Sequence, residues 1–177
     1  MLLVLDRDGV INFESPDYIK CPEEWIPIPG SVAAIGALSR AGFTLVIATN
    51  QAGVGRGYYT VETLESIHQK MLSMIAAEGG KIIRIYFCPH HPDDHCGCRK
   101  PKPGMLQQVQ KDFHVKGNEM LFIGDSMRDY EAGKAVNCPF MLVRTGFGAE
   151  TEKKLEDATV KVFDDLAAVA AYLTNKK

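Results

Sequence analysis

Six apolar runs punctuate the chain, at residues 1–5, 43–48, 82–87, 120–123, 140–143 and 160–163. Short runs with little polar alternation read as strands buried on both faces, as in a parallel sheet. The stretches between them carry a helical period. Val32, Ile35 and Leu38 recur at helical spacing, and Gly42 supplies a stop. Thr60 is placed to cap a helix with Val61, Leu64, Ile67, Met71 and Met74 on one face. Residues 105–113, 128–136 and 166–173 complete the set, and the acidic stretch 150–157 reads as a solvated helix face. His68 and His114 fall within helical patterns as ordinary surface or packing positions. This alternation predicts an α/β fold, a doubly wound parallel sheet of Rossmann-like type with helices on both faces. Ligands of such sheets bind beyond the carboxyl ends of the strands. No insertion is long enough to form a separate cap domain, so residues 1–177 are expected to form one domain. The long irregular stretch from 16 to 30 lies just after the first strand, where such loops are often functional.

Composition narrows the classes. A chain of 177 residues with 46% hydrophobic residues can bury a substantial core. Its 20 basic and 22 acidic residues include no long basic run, which argues against a nucleic-acid partner. No apolar run is long enough for a bilayer, and Met1 leads straight into a strand, so neither a membrane span nor a signal peptide is expected. A cytoplasmic monomer follows as the expectation. Three of the five cysteines lie between Cys88 and Cys98, which in a reducing compartment suggests metal before disulfide. Cys21 and Cys138 read as small packed residues.

Chemistry collects at four strand ends. Asp6 and Asp8 sit one residue apart after the first strand, on the same side of an extended stretch, and Gly9 then permits a sharp turn. Two ionised carboxylates this close repel, and Mg²⁺ would relieve the repulsion; a solvated Asp-Gly turn is the plainer alternative. After the second strand, Thr49 offers a hydroxyl and Asn50 an amide, with Gln51 beside them. Arg99 and Lys100 follow the cysteine-rich segment, and Gly124-Asp125 follows the fourth apolar run, with Asp129 beyond. Asp125 would join Asp6 in an oxygen-rich cage if their strands are neighbours. Together these groups suit phosphoryl transfer, in which anionic phosphate must be neutralised and positioned before a carboxylate attacks it.

The ordered set Asp6-x-Asp8-Gly9, Thr49, Lys100 and Gly124-Asp125 with Asp129 resembles the haloacid dehalogenase superfamily of phosphatases, and the resemblance spans nearly the whole chain. It implies that Asp6 is the nucleophile and that Asp8 is the general acid and base, lending its backbone carbonyl to the metal. It further implies that Thr49 and Lys100 bind the transferring group, that Asp6, Asp8 and Asp125 hold Mg²⁺, and that Asp129 supports the metal site from outside its ligand set.

Cys88, His90, Cys96 and Cys98 form a Cys-x-His and Cys-x-Cys set suited to a closed, structural, tetrahedral Zn²⁺, with His91 or His95 as alternatives to His90. Such a loop at 88–98 would stiffen the segment that carries Arg99 and Lys100. The Asp6-Arg7-Asp8-Gly9 motif with this loop is similar to the branch holding histidinol-phosphate and heptose-bisphosphate phosphatases. The stretches Tyr18 to Gly30 and Thr49 to Tyr58 are similar to the D-glycero-D-manno-heptose 1,7-bisphosphate 7-phosphatase family. The five residues between His90 and Cys96 also resemble the histidinol-phosphate enzymes, and Ala52 stands where the heptose family usually has Ser. The resemblance implies a small sugar phosphate as ligand, with Tyr18, Asn50, Gln51 and Arg99 as candidate contacts and Arg56 read as a solvated loop residue. Rival readings are a non-enzymatic phospho-accepting domain, a zinc-bearing binding module, and an enzyme acting on nucleic-acid ends. The first lacks an acceptor Asp after the third run, and the other two lack a basic face.

Overall fold

A computed structural model describes residues 1–175. Its sheet has six parallel strands, β1 Leu2–Leu5, β2 Thr44–Asn50, β3 Arg84–Cys88, β4 Met120–Gly124, β5 Phe140–Val143 and β6 Lys161–Phe163. Their spatial order is β3-β2-β1-β4-β5-β6. The helices are α1 Ser31–Arg40, α2 Ala52–Gly55, α3 Val61–Ala77, α4 Gly104–Phe113, α5 Met127–Ala135, α6 Gly148–Lys154 and α7 Leu166–Thr174. The doubly wound α/β arrangement expected from the hydrophobic pattern is the one found. Among the described residues, no helix is long and apolar enough to cross a membrane.

Side-chain alternation along each strand divides the core in two. Leu3, Leu5, Leu45, Ile47 and Ile123 share one apolar cluster with Ile35 of α1, Ile67 of α3 and Val169 of α7. Leu2, Val4, Val46, Ala48 and Phe122 share the other with Leu106 of α4 and Ala132 of α5. Each fully buried Leu or Ile of this kind stabilises the fold by about 1.5–3 kcal/mol.

The elements depart from the sequence pattern where pairing, not hydrophobicity, sets their ends. β2 and β3 run two and one residues past their apolar runs, because Thr49 still pairs with Phe87 and Asn50 with Cys88. Three candidate site residues are therefore held by the sheet itself. The four-residue α2 has no apolar stripe to announce it, and α6 ends at Lys154, short of 157. The Thr60 hydroxyl caps α3 as expected, accepting from the Thr63 N–H at 3.2 Å. The buried face of α3 is Leu64, Ile67, His68, Met71 and Ile75; Val61 and Met74 lie off that stripe and are 37% and 38% exposed.

The loop between β1 and α1 is pinned down. Trp25 is fully buried, the Phe13 N–H donates to Ile26 O at 3.0 Å, and Ile28 donates to Ile11 O at 2.9 Å. Lys70 of α3 donates to the carbonyls of Pro22 at 2.7 Å and Trp25 at 3.0 Å. The chain winds outward from β1 to β3 and then returns to place β4 on the other side of β1. The crevice at that reversal lies between the carboxyl ends of β1 and β4.

Candidate active site

Asp6 and Asp125 meet at this crevice. Leu5 pairs with Ile123, and the Asp6 N–H continues the ladder by donating to Ile123 O at 3.0 Å. One oxygen each from Asp6, Asp125 and Asp129 then lies within 4.8 Å of the others. The loop after β5, absent from the sequence reading, shapes the corner. Gly9 (φ +81°) and Gly146 (φ +58°) flank the Asp125 carboxylate so closely that a Cβ on either would strike its Oδ2. Phe147 N–H donates to that oxygen at 2.8 Å, and the Thr145 hydroxyl ties the loop to Gly9 O at 2.6 Å.

Charge in this corner is unbalanced. Burial, then the Asp129 charge, raises Asp6 to about 7, although Lys100 pulls the other way. Burial, Asp129 and Asp6 push Asp125 up to about 9. Lys100 is 2% exposed. Its Nζ lies 2.8 Å from Asp6 Oδ1 and 2.7 Å from Asp129 Oδ1, and donates to Ala48 O at 2.8 Å. Burial works against its charge, but the two carboxylates outweigh it and raise its pKa. Asp129 is held low despite burial, because Lys100 and the Ser126 N–H and hydroxyl, at 3.1 and 2.7 Å, face it. Asp129 thus has both oxygens engaged. One ammonium faces two of the three buried carboxylates, and the remaining negative charge on an all-oxygen donor set fits a hard divalent cation such as Mg²⁺.

Asp8 is differently furnished. Arg7, itself 1% exposed, reaches Asp8 Oδ1 through Nη2 at 2.8 Å and through Nε at 3.2 Å. Asn12 Nδ2 donates to the same oxygen at 2.8 Å, and Gln51 Nε2 donates to Oδ2 at 2.8 Å. Burial favours the neutral acid, but Arg7 and these amides prevail and hold Asp8 below its ordinary pKa. Gln51 also donates to Thr49 Oγ1 at 2.9 Å and accepts from the Tyr59 hydroxyl at 2.8 Å. Its amide, read from sequence as a ligand contact, is fully engaged with neighbouring side chains. Asn50 is engaged likewise: its Nδ2 donates to Lys100 O at 3.1 Å, and its Oδ1 accepts from Lys100 N–H at 3.0 Å. Both residues line the cleft, and both also brace the groups beside them.

The sulfur cluster lies one strand away. Cys98 Sγ is 3.2 Å from Cys88 Sγ and 3.6 Å from Cys96 Sγ, and His90 Nδ1 is 3.2 Å from Cys98 Sγ. Three sulfurs and an imidazole nitrogen gathered this closely form a donor set of the kind that suits tetrahedral Zn²⁺. Of the three candidate histidines, His90 joins the sulfurs, whereas His91 Nδ1 accepts from Asp93 N–H at 3.2 Å. The cluster is bolted to the β2 end: Gln51 N–H donates to Cys88 O at 2.8 Å and Gly55 N–H to Pro89 O at 2.7 Å.

An open cleft of about 280 Å³ lies above Asp6, Asp8 and Thr49, walled in part by Tyr18, Arg99, Arg128 and Phe147. Tyr18 stacks obliquely on Tyr58, with centroids 5.2 Å apart. Arg99 Nη1 is buried without a hydrogen-bond partner. Arg56 is exposed and does not line the cleft. The sequence presents Arg7 only as part of the Asp6-Arg7-Asp8-Gly9 motif, and Tyr59 and the Gly146–Phe147 turn not at all. A buried Arg between two acids was a signal available for the first, and paired glycines after an apolar run for the last.

A family model described as HAD-hydrolase-like matches residues 97–169. The D-glycero-beta-D-manno-heptose-1,7-bisphosphate 7-phosphatase of Pseudomonas aeruginosa is 53% identical over 97% of both chains. The crystal structure of D,D-heptose 1,7-bisphosphate phosphatase from B. bronchiseptica, complexed with magnesium and phosphate, superposes with a TM-score of 0.96 at 43% identity, covering 99% of each chain. The corresponding enzyme from Burkholderia thailandensis gives a TM-score of 0.77 at 36% identity, over 97% of each.

Proposed function

The chain belongs to the heptose-1,7-bisphosphate 7-phosphatase family of haloacid-dehalogenase-type hydrolases and is a phosphoric monoester hydrolase, and from that premise we propose that it removes the 7-phosphate of D-glycero-D-manno-heptose 1,7-bisphosphate through an aspartyl-phosphate on Asp6. The observation that carries the reading is the meeting of Asp6, Asp125 and the Lys100 ammonium at the β1–β4 crevice.

Asp6 Oδ2 attacks phosphorus while the bond to the sugar oxygen breaks. Its Oδ1 faces Lys100 at 2.8 Å, so the attacking carboxylate is oriented and partly neutralised. Asp8 gives a proton to the leaving oxygen and then takes one from the water that hydrolyses the acyl phosphate. The Arg7 network keeps Asp8 ionised when the cleft is empty, the form needed as base. An arriving phosphate dianion raises its proton affinity toward the acid form. Thr49 Oγ1 already accepts from Gln51, leaving its hydroxyl proton for a phosphoryl oxygen. Asp6, Asp125 and the Asp8 backbone carbonyl would hold Mg²⁺, which supplies charge neutralisation on the transferring group. Asp129 supports that site by fixing Lys100. Zn²⁺ on Cys88, His90, Cys96 and Cys98 would be structural, fixing the peptide that ends in Lys100.

The unpartnered Nη1 of Arg99 suits the second phosphate of a bisphosphate, and Tyr18 the sugar beside it. The test is a kcat/KM panel with Mg²⁺. Heptose 1,7-bisphosphate should exceed a heptose 7-monophosphate and histidinol phosphate by at least about tenfold, the value of one good charged contact. Preference for histidinol phosphate would overturn the substrate assignment.

A further inference from the structure

By sequence His68 is an ordinary surface or packing position, yet the structure sets it against the acid–base machinery. It lies on the buried stripe of α3, is 6% exposed, and its ring meets the edge of Phe87 with centroids 6.1 Å apart. Its Nε2 is 3.3 Å from Arg7 Nη1.

The direction of this hydrogen bond follows from chemistry. A guanidinium has only donors and keeps its charge, so Nη1–H donates and His68 Nε2 accepts. The ring therefore carries its proton on Nδ1 and is neutral. Burial, followed by the Arg7 charge, pushes His68 down to about 3, in keeping with that assignment. Every nitrogen of Arg7 then has a use: Nε and Nη2 face Asp8, and Nη1 faces His68. His68 supplies the acceptor on the side of the guanidinium away from Asp8.

We propose that His68 is a positioning residue for proton transfer: by accepting from Arg7 it fixes the guanidinium plane, and through that plane it fixes Asp8 relative to the leaving oxygen. The turn after β1, through Asp8 and Arg7, and α3, through His68, thereby share one hydrogen-bonded line. Removal of the His68 acceptor frees Nη1 and lets the guanidinium turn, so that Asp8 loses a fixed partner without losing the Arg7 charge. The inference rests on the reading of Asp8 as general acid.

The experiment compares kcat/KM, which covers steps through phosphoenzyme formation, for two esters that differ in leaving group. The sugar phosphate expels a poor alcohol leaving group and needs the acid; p-nitrophenyl phosphate expels a stabilised phenolate and does not. Asp8→Asn should lose far more on the sugar ester than on the aryl ester. His68→Leu should give the same pattern in weaker form, a loss on the order of tenfold to a hundredfold on the sugar ester and little on the aryl ester. His68→Gln, which restores an acceptor oxygen, should recover most of that loss. If Leu unfolds the chain, His68→Met provides the contrast with a more adaptable side chain. An equal loss on both esters in folded His68→Leu or Met, or a parental rate on the sugar ester, would overturn the role of His68. A loss in Asp8→Asn that ignores the leaving group would instead bring down the acid assignment beneath it.

Discussion

The two clusters of ligating side chains solve opposite problems. The carboxylate corner gathers Asp6 and Asp125 from two strand ends set side by side by sheet register, and Asp129 from the first turn of α5. It is hard, over-charged and served by one buried lysine. The sulfur cluster draws its side chains from residues 88–98 alone, a soft set whose four donors would close a tetrahedral site. A closed site suits a structural ion, whereas a corner with unspent charge and one free Asp125 oxygen suits chemistry. Asn50 connects the two by gripping both backbone atoms of Lys100, which stands two residues after Cys98.

The largest effect should come from the shared cation. Lys100→Met leaves Asp6 and Asp129 without their neutralising partner, so kcat/KM should fall about 10²–10³-fold. Stability should also drop by about 3–5 kcal/mol, as is typical when one member of a buried ion pair is removed. Steady-state kinetics with urea unfolding checks both, and a mild effect on each would show that the corner is not organised around Lys100.

A smaller effect should follow on the sulfur side. Cys98→Ser should abolish zinc binding by metal analysis and lower kcat/KM about tenfold, the usual scale for losing an orienting partner. Magnesium affinity measured by calorimetry should change little, because Asp6 and Asp125 are held directly after β1 and β4, away from the sulfur loop. Full turnover without zinc would separate the loop from catalysis.

The smallest effect is a pH slope. Asp6 at about 7 and Asp125 at about 9 lie above the ordinary 3.8 of an aspartate, so the metal-free fold retains protons that the unfolded chain has lost. Their stabilising contribution is complete below the unfolded value and disappears as pH rises through the folded ones. Melting temperature of the metal-free protein should therefore fall between about pH 5 and pH 9. Saturating Mg²⁺ should flatten that slope, and a metal-free melting temperature that rises with pH would contradict the charge assignment.

The same contrast explains what the sequence disclosed. Buried parallel strands are continuous apolar runs, so the sheet was legible, and acids placed just beyond them were legible as a site. The cysteine–histidine cluster declared itself by residue type and spacing. Less visible were groups that act through backbone or through each other. The Gly146–Phe147 turn contributes the Phe147 N–H and the missing Cβ of Gly146, neither of which advertises chemistry. His68 sat at the right helical interval for burial from Leu64 and Met71, but its partner Arg7 lies 61 positions away. Asn50 and Gln51 were visible as polar residues, while the direction of their amides depended on neighbours that only the fold supplies.

The central claim is that Asp6 carries the phosphoryl group. Rapid quenching of a single turnover, reduction with borohydride and peptide mass spectrometry tests it directly, because an aspartyl-phosphate is reduced to homoserine. The account predicts homoserine at position 6 alone, and none in Asp6→Asn. Homoserine at another aspartate, or turnover by Asp6→Asn at the parental rate, would contradict it.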